Sequence, residues 1–159
     1  MTDPIKKTLN VPLRPDEAFD LFTDRLADWW PTDSHSLSAG DGDLPQDVRV
    51  DRHEGGYITE TKADGETGRW GTITSWDRGR HLGISWYVGR DETEATDITV
   101  TFMPTDTGTR VELVHDGFDR LGETAMITHG QYLVGWDHVF VARYGAFCNH
   151  GKIAAIDAK

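Results

Sequence analysis

Cysteine is nearly missing from this chain: Cys148 stands alone in 159 residues. A single thiol excludes an internal disulfide and any cysteine-based metal cluster, and it fits a reducing, cytoplasmic setting. Positive charge is also scarce. Lys and Arg number 16 against 27 Asp and Glu, a formal net charge of −11, which argues against nucleic acid or an anionic membrane surface as a partner. No apolar run approaches the roughly 20 residues of a transmembrane helix. The opening MTDPIKK has no apolar core of the kind a secretory signal carries. The seven histidines include no pair at i, i+4 helical or i, i+2 strand spacing, so no metal and no cofactor is expected. Gly40-Asp41-Gly42 is acidic and has no lysine, which excludes a phosphate-cradling loop.

What the chain has in plenty is tryptophan, six in a length that suits one domain spanning 1–159. Its most organised stretch runs from about Glu123 to Lys152 and reads as one long helix. At about 100° per residue, His129, Tyr132, Leu133, Trp136, Val139, Phe140, Arg143, Tyr144 and Phe147 fall within one broad stripe. Asp137 lies on its margin and His138 opposite Trp136. Gly130, Gly135 and Gly145 interrupt the stripe. Each costs about 1 kcal/mol relative to Ala, which fits either a loosely optimised helix or close approach by a strand or a bend.

Before that helix, apolar residues alternate as they do in strands. Ile5 to Leu13 is the first, and further strands follow around Val48–Val50, Tyr57–Lys62, Arg69–Trp76, Leu82–Val88, Ile98–Phe102 and Val111–His115. Short turn signals between them predict an antiparallel meander. Arg14-Pro15-Asp16-Glu17 opens a helical segment that breaks near Asp24 and stops at Pro31. Ser34 to Pro45 is polar and reads as a mobile loop. The predicted fold is α+β: a curved sheet of about seven strands wrapped around the last helix, two short helices after strand 1, and a cavity between sheet and helix.

Several residues carry a resemblance. They are Val11-Pro12, Ala18-Phe19 with Phe22-Thr23, Trp29-Trp30-Pro31, Gly55-Gly56, Trp70-Gly71, Trp86, Thr109-Arg110-Val111, His115-Asp116-Gly117-Phe118 and Gly135-Trp136. In this order the chain resembles single-domain homologues of the activator of the heat shock protein 90 ATPase. These lie within the helix-grip superfamily of START-like, birch-pollen-allergen-like and polyketide-cyclase proteins, also called SRPBCC. The resemblance implies a hydrophobic cavity between sheet and C-terminal helix but no single activity. At Gly135, beside Trp136, it implies close packing. The eukaryotic co-chaperone carries a further N-terminal domain, whereas this sequence opens on its first strand, so modulation of a chaperone ATPase stands only as a third expectation, behind ligand binding and an enzymatic use of the same cavity.

The expected ligand is a small apolar or amphipathic molecule, held by candidates drawn from Trp30, Glu60, Trp70, Ile84, Trp86, Phe102, His115, Tyr132, Trp136 and Arg143. Trp30, before a proline and a polar loop, suits the entrance. His115 shares a strand face with Val111 and Leu113; it is either a satisfied core imidazole or a base. Glu60 shares parity with Ile58. It is a buried, partnered carboxylate if that face points inward and ordinary surface if not, the surface reading being preferred. Arg143 either snorkels past the core edge or reaches in to hold a carboxylate. An enzyme of cyclase or hydrolase type would use His115 with Glu60 or Arg143, and a homodimer through sheet edges or the aromatic loop region is a further expectation.

Overall fold

Seven strands pair antiparallel throughout, in the order β1-β7-β6-β5-β4-β3-β2. They are β1 (Ile5–Val11), β2 (Asp47–Val50), β3 (Tyr57–Thr61), β4 (Thr67–Asp77), β5 (His81–Trp86), β6 (Thr96–Thr105) and β7 (Gly108–Asp116). Three short helices, α1 (Pro15–Thr23), α2 (Leu26–Trp29) and α3 (Leu37–Gly40), carry the chain from β1 at one edge to β2 at the other. This computed structural model describes residues 2–149. The predicted end of the last helix, at Lys152, lies outside the described residues.

The strand pattern decides which face is buried. Leu82, Ile84 and Trp86 of β5, Ile98, Val100 and Phe102 of β6, and Val111, Leu113 and His115 of β7 all point into the core. Register sets Ile84 beside Ile98 and Ile98 beside His115, so one row crosses three strands. Between Ile58/Gly71 and Thr59/Arg69 the β3–β4 pairing skips Trp70, a bulge that turns this indole fully inward. The Tyr57–Thr61 strand also settles the parity of Glu60. Ile58 is buried and so is Glu60, with no exposed surface, and the surface reading of this carboxylate is corrected.

The C-terminal helix begins after a 3-10 segment (Phe118–Thr124) as α4 (Ala125–Trp136). It runs on as a π-helical segment over Asp137–Tyr144, then as α-helix through 145–149. Hydrogen bonds from i to i+5 widen each turn, so each residue advances by less than in an α-helix. Phe140 and Tyr144 therefore stack, with ring centroids 5.6 Å apart and planes 9° off parallel. Both are fully buried with Val139. The Tyr144 hydroxyl donates to the Ala18 carbonyl at 2.6 Å and ties the helix to α1.

The same widening rotates Arg143 outward. It is exposed, and its Nε donates to the Trp29 carbonyl at 3.1 Å, at the end of α2. Arg143 thus leaves the stripe that a uniform α-helix assigns to it. The glycines divide as well. At Gly145 an added Cβ would sit 3.4 Å from the Leu9 side chain of β1, in ordinary van der Waals contact. At Gly135 nothing lies within 4 Å, and the expected close packing is replaced by open space.

Candidate functional site

The core in front of α4 is a block of indoles. Trp30 packs against Trp70, Trp86 and Trp136 with ring centroids 5.1, 5.7 and 5.9 Å apart, within the range in which tilted aromatic pairs attract. Each indole N–H is already committed. Trp30 Nε1 donates to the His35 carbonyl at 2.6 Å, Trp70 Nε1 to Glu60 at 2.9 Å, Trp86 Nε1 to the Tyr132 hydroxyl at 2.9 Å, and Trp136 Nε1 to His115 Nδ1 at 3.0 Å. A buried polar group without a partner costs about 1–3 kcal/mol, so these bonds fix each ring rather than leave it free to turn.

Only about 20 Å³ of void is left inside the block, beside Ile58, Ile84 and Ile98. The usable space lies at its mouth. A cleft of about 310 Å³ opens there between α4 and the segment that follows Trp30. Its walls are Trp30, Trp86, Tyr132, Trp136, Val88 and Val139, with Gly135 opposite Ser34, His35 and Ser36, and Gln131 at the rim. Gly135 has no side chain here, and that absence is part of the cleft's width.

His115 forms the second layer behind the cleft. An indole N–H only donates, so His115 Nδ1 accepts from Trp136; the neutral ring then carries its proton on Nε2 and donates to Thr96 Oγ1 at 2.7 Å. Burial, reinforced by His129, pushes the imidazole down to about 3. With both nitrogens used and no exposed surface, His115 sets the orientation of Trp136.

Glu60 organises the opposite side. Its carboxylate accepts from the Leu37 and Ser38 backbone N–H groups, both at 2.8 Å, from the Ser38 hydroxyl, and from Trp70. Burial on its own would raise its pKa, but hydrogen bonds from Ser38, Leu37 and Trp70 outweigh it and hold the group below its ordinary value. The Ser34–Pro45 stretch, expected as a mobile loop, is therefore pinned to β3 through α3. Ser36 caps that helix by accepting from the Ala39 N–H at 3.0 Å, and its hydroxyl donates to Thr32 O at 2.7 Å. The result is a strap, residues 31–38, closing one side of the cleft.

The family described as Activator of Hsp90 ATPase homolog 1-like protein matches residues 12–140. The chain belongs to this family. It is similar to Txn09, an anthrahydroquino-gamma-pyrone synthase solved as a complex, with 32% identity, 80% of this chain and 85% of that one covered, and a TM-score of 0.58. Two more distant structures share the fold. DynU16, from the dynemicin biosynthetic locus, is 16% identical over 92% of this chain and 47% of its own, with a TM-score of 0.64. The Aha1 dimer from Colwellia psychrerythraea is 14% identical over 84% of this chain and 90% of that one, with a TM-score of 0.57. No curated protein matches the chain.

Within this family member the ten residues singled out from sequence fall into three places. Trp30, Trp86, Tyr132 and Trp136 line the cleft. Trp70, Ile84, Phe102, Glu60 and His115 are buried behind it, Ile84 against the small inner void. Arg143 is outside, on the α2 carbonyl. Among the described residues no hydrogen bond joins His115 to Glu60 or His115 to Arg143, the two pairings the enzymatic alternative would use. Sequence reading passed over the strap, His35 and Gly135 as cleft walls. Trp30-Pro31 marks the turn into the strap, but the bond that closes it runs to a backbone carbonyl, which residue identity does not reveal. Among the described residues no helix is long and apolar enough to cross a membrane, and no group of three or more His, Cys, Asp or Glu could hold a metal ion.

Proposed function

We propose that this chain binds a small, planar, largely apolar molecule in the cleft between α4 and the 31–38 strap. The observation that carries the reading is the cleft's surface. Three indoles and a tyrosine face it, and their ring N–H groups are all spent on protein partners, so it offers flat apolar walls with few free polar groups. A volume of about 310 Å³ lies near the lower end for small-molecule sites, which favours a compact ligand. The net charge of −11 disfavours an anionic one. The synthase relative, whose name describes a fused aromatic product, supports the same class of molecule. These features support a small-molecule role over modulation of a chaperone ATPase.

Gly135 gives the test. A side chain added there meets open space, so Gly135→Leu should fill the cleft while keeping the helix, where glycine is the weaker former. Native mass spectrometry of freshly purified protein should show a bound small molecule on the parent chain and none on Gly135→Leu. The same spectra count the copies of the chain per particle. Equal ligand occupancy in both proteins would place the ligand elsewhere and reject the reading.

A further inference from the structure

The cleft contains one basic side chain among its described lining residues, His35. Its surroundings set how it can act. Its backbone carbonyl receives the Trp30 indole N–H, which fixes the strap at this residue regardless of the side chain. Its Nδ1 lies 2.7 Å from Ser34 Oγ, and Ser34 Oγ is also 3.4 Å from the Pro31 carbonyl. Either partner of the Ser34–His35 contact can donate; in the tautomer with its proton on Nδ1, His35 donates to Ser34 Oγ and Nε2 keeps its lone pair, and this is the form that can take up a proton. No protein partner for Nε2 is present among the described residues.

The His138 ring of the C-terminal helix stands 5.7 Å away, centroid to centroid. Burial first and His138 second lower the His35 pKa from its ordinary 6.5, while Asp33 on the strap opposes them. The imidazole is accordingly neutral at pH 7, the form in which a base is useful. On another wall, Tyr132 accepts the Trp86 N–H, and its own hydroxyl proton has no acceptor among the described residues. The aromatic slot thus sets the imidazole of His35 across from the Tyr132 hydroxyl, with the Gln131 carboxamide at its rim.

We propose that His35 is an acid–base group acting on an acidic hydroxyl, phenolic or enolic, of a molecule bound in the cleft, with the Tyr132 hydroxyl donating to a neighbouring carbonyl oxygen of that molecule. The O–H bond breaks with its electron pair left on oxygen, and the proton moves to His35 Nε2. The imidazolium returns it when the product protonates, so no co-reactant is consumed. This rests on the binding reading above and names the ligand class, a hydroxyaromatic or enolic carbonyl compound, together with the group that activates it.

Alizarin, whose phenol and phenolate absorb at different visible wavelengths, is a suitable probe. Binding is read by quenching of tryptophan fluorescence, and ionisation of the bound dye by its absorbance against pH. An apolar slot in a protein of net charge −11 would by itself push the phenol's pKa up. Of the groups around His35, Asp33 would act in the same direction. A bound phenol that ionises at lower pH than free dye, by about one pH unit, therefore requires a specific group that takes up its proton or donates to its phenolate, and the His35 variant separates that imidazole from the Tyr132 hydroxyl. The expected result is that downward shift in the parent chain and its loss in His35→Gln, with quenching retained. Arg90, which acts on Tyr132, stays in both proteins and cannot account for the difference. A bound dye that ionises as in water, or a shift that survives His35→Gln, would overturn the proposal while leaving binding intact. Absence of quenching in the parent chain would overturn the binding reading and this one with it.

Discussion

His115 holds its place with two hydrogen bonds and no contact with water, and this makes it a source of acid sensitivity. In the unfolded chain it takes up a proton near its ordinary pKa of 6.5, whereas in the folded chain it resists protonation down to about 3. Its contribution is thus complete above pH 6.5 and falls away as pH drops toward 3, because the unfolded state binds the extra proton. Between pH 6.5 and 5, before most carboxylates titrate, this one group should lower the unfolding free energy by up to about 1.4 kcal/mol per pH unit. Denaturant titrations over that window should show the slope in the parent chain and a flatter one in His115→Gln. Equal slopes would mean that the ring is not shielded as described. The inward position of His115 was legible from its strand parity with Val111 and Leu113. Its role was not, because the partners Trp136 and Thr96 lie 21 and 19 residues away in sequence.

The elements that shape the cleft are the strap and the last helix, and each exposes a limit of local pattern. Residues 34–45 look free because they are polar, yet α3 is fastened to β3 by one carboxylate over 22 and 23 residues of separation. Glu60→Gln places an N–H₂ group against donors already aimed at the site. It should cost about 2–3 kcal/mol in stability. It should also raise hydrogen exchange at the Leu37 and Ser38 amides well beyond that of the central strands. If those amides keep parent-like protection relative to the sheet, the carboxylate is not the fastener. In the helix, periodicity marked Tyr132, Trp136, Phe140 and Tyr144 correctly as inward-facing. The π segment has no such pattern of its own: the change from i+4 to i+5 bonding alters the angle between residues, not their identity. Of the two readings of Arg143, the structure agrees with the one that carries it past the core edge, and Gly135 was taken for tight packing when its bare backbone opens the cleft.

At the scale of the molecule, strand alternation, turn signals and one long helical stripe were enough to specify an antiparallel sheet gripping a C-terminal helix, since both periods are written in neighbouring residues. The location of free space was not. It depends on how the tryptophans share volume, and the block of Trp30, Trp70, Trp86 and Trp136 fills much of the interior between sheet and helix, where the cavity was expected. The space beside these aromatic rings is the cleft outside that block. The most direct measurement follows the indole N–H resonances of ¹⁵N-labelled protein as alizarin is added. Trp30, Trp86 and Trp136 border the cleft, whereas Trp29 and Trp70 are fully buried away from it. The account predicts large shifts for the first three and small ones for Trp29 and Trp70. Shifts at Trp70 and Trp29 as large as those at Trp136 would contradict it, because the ligand would then be entering the sheet interior.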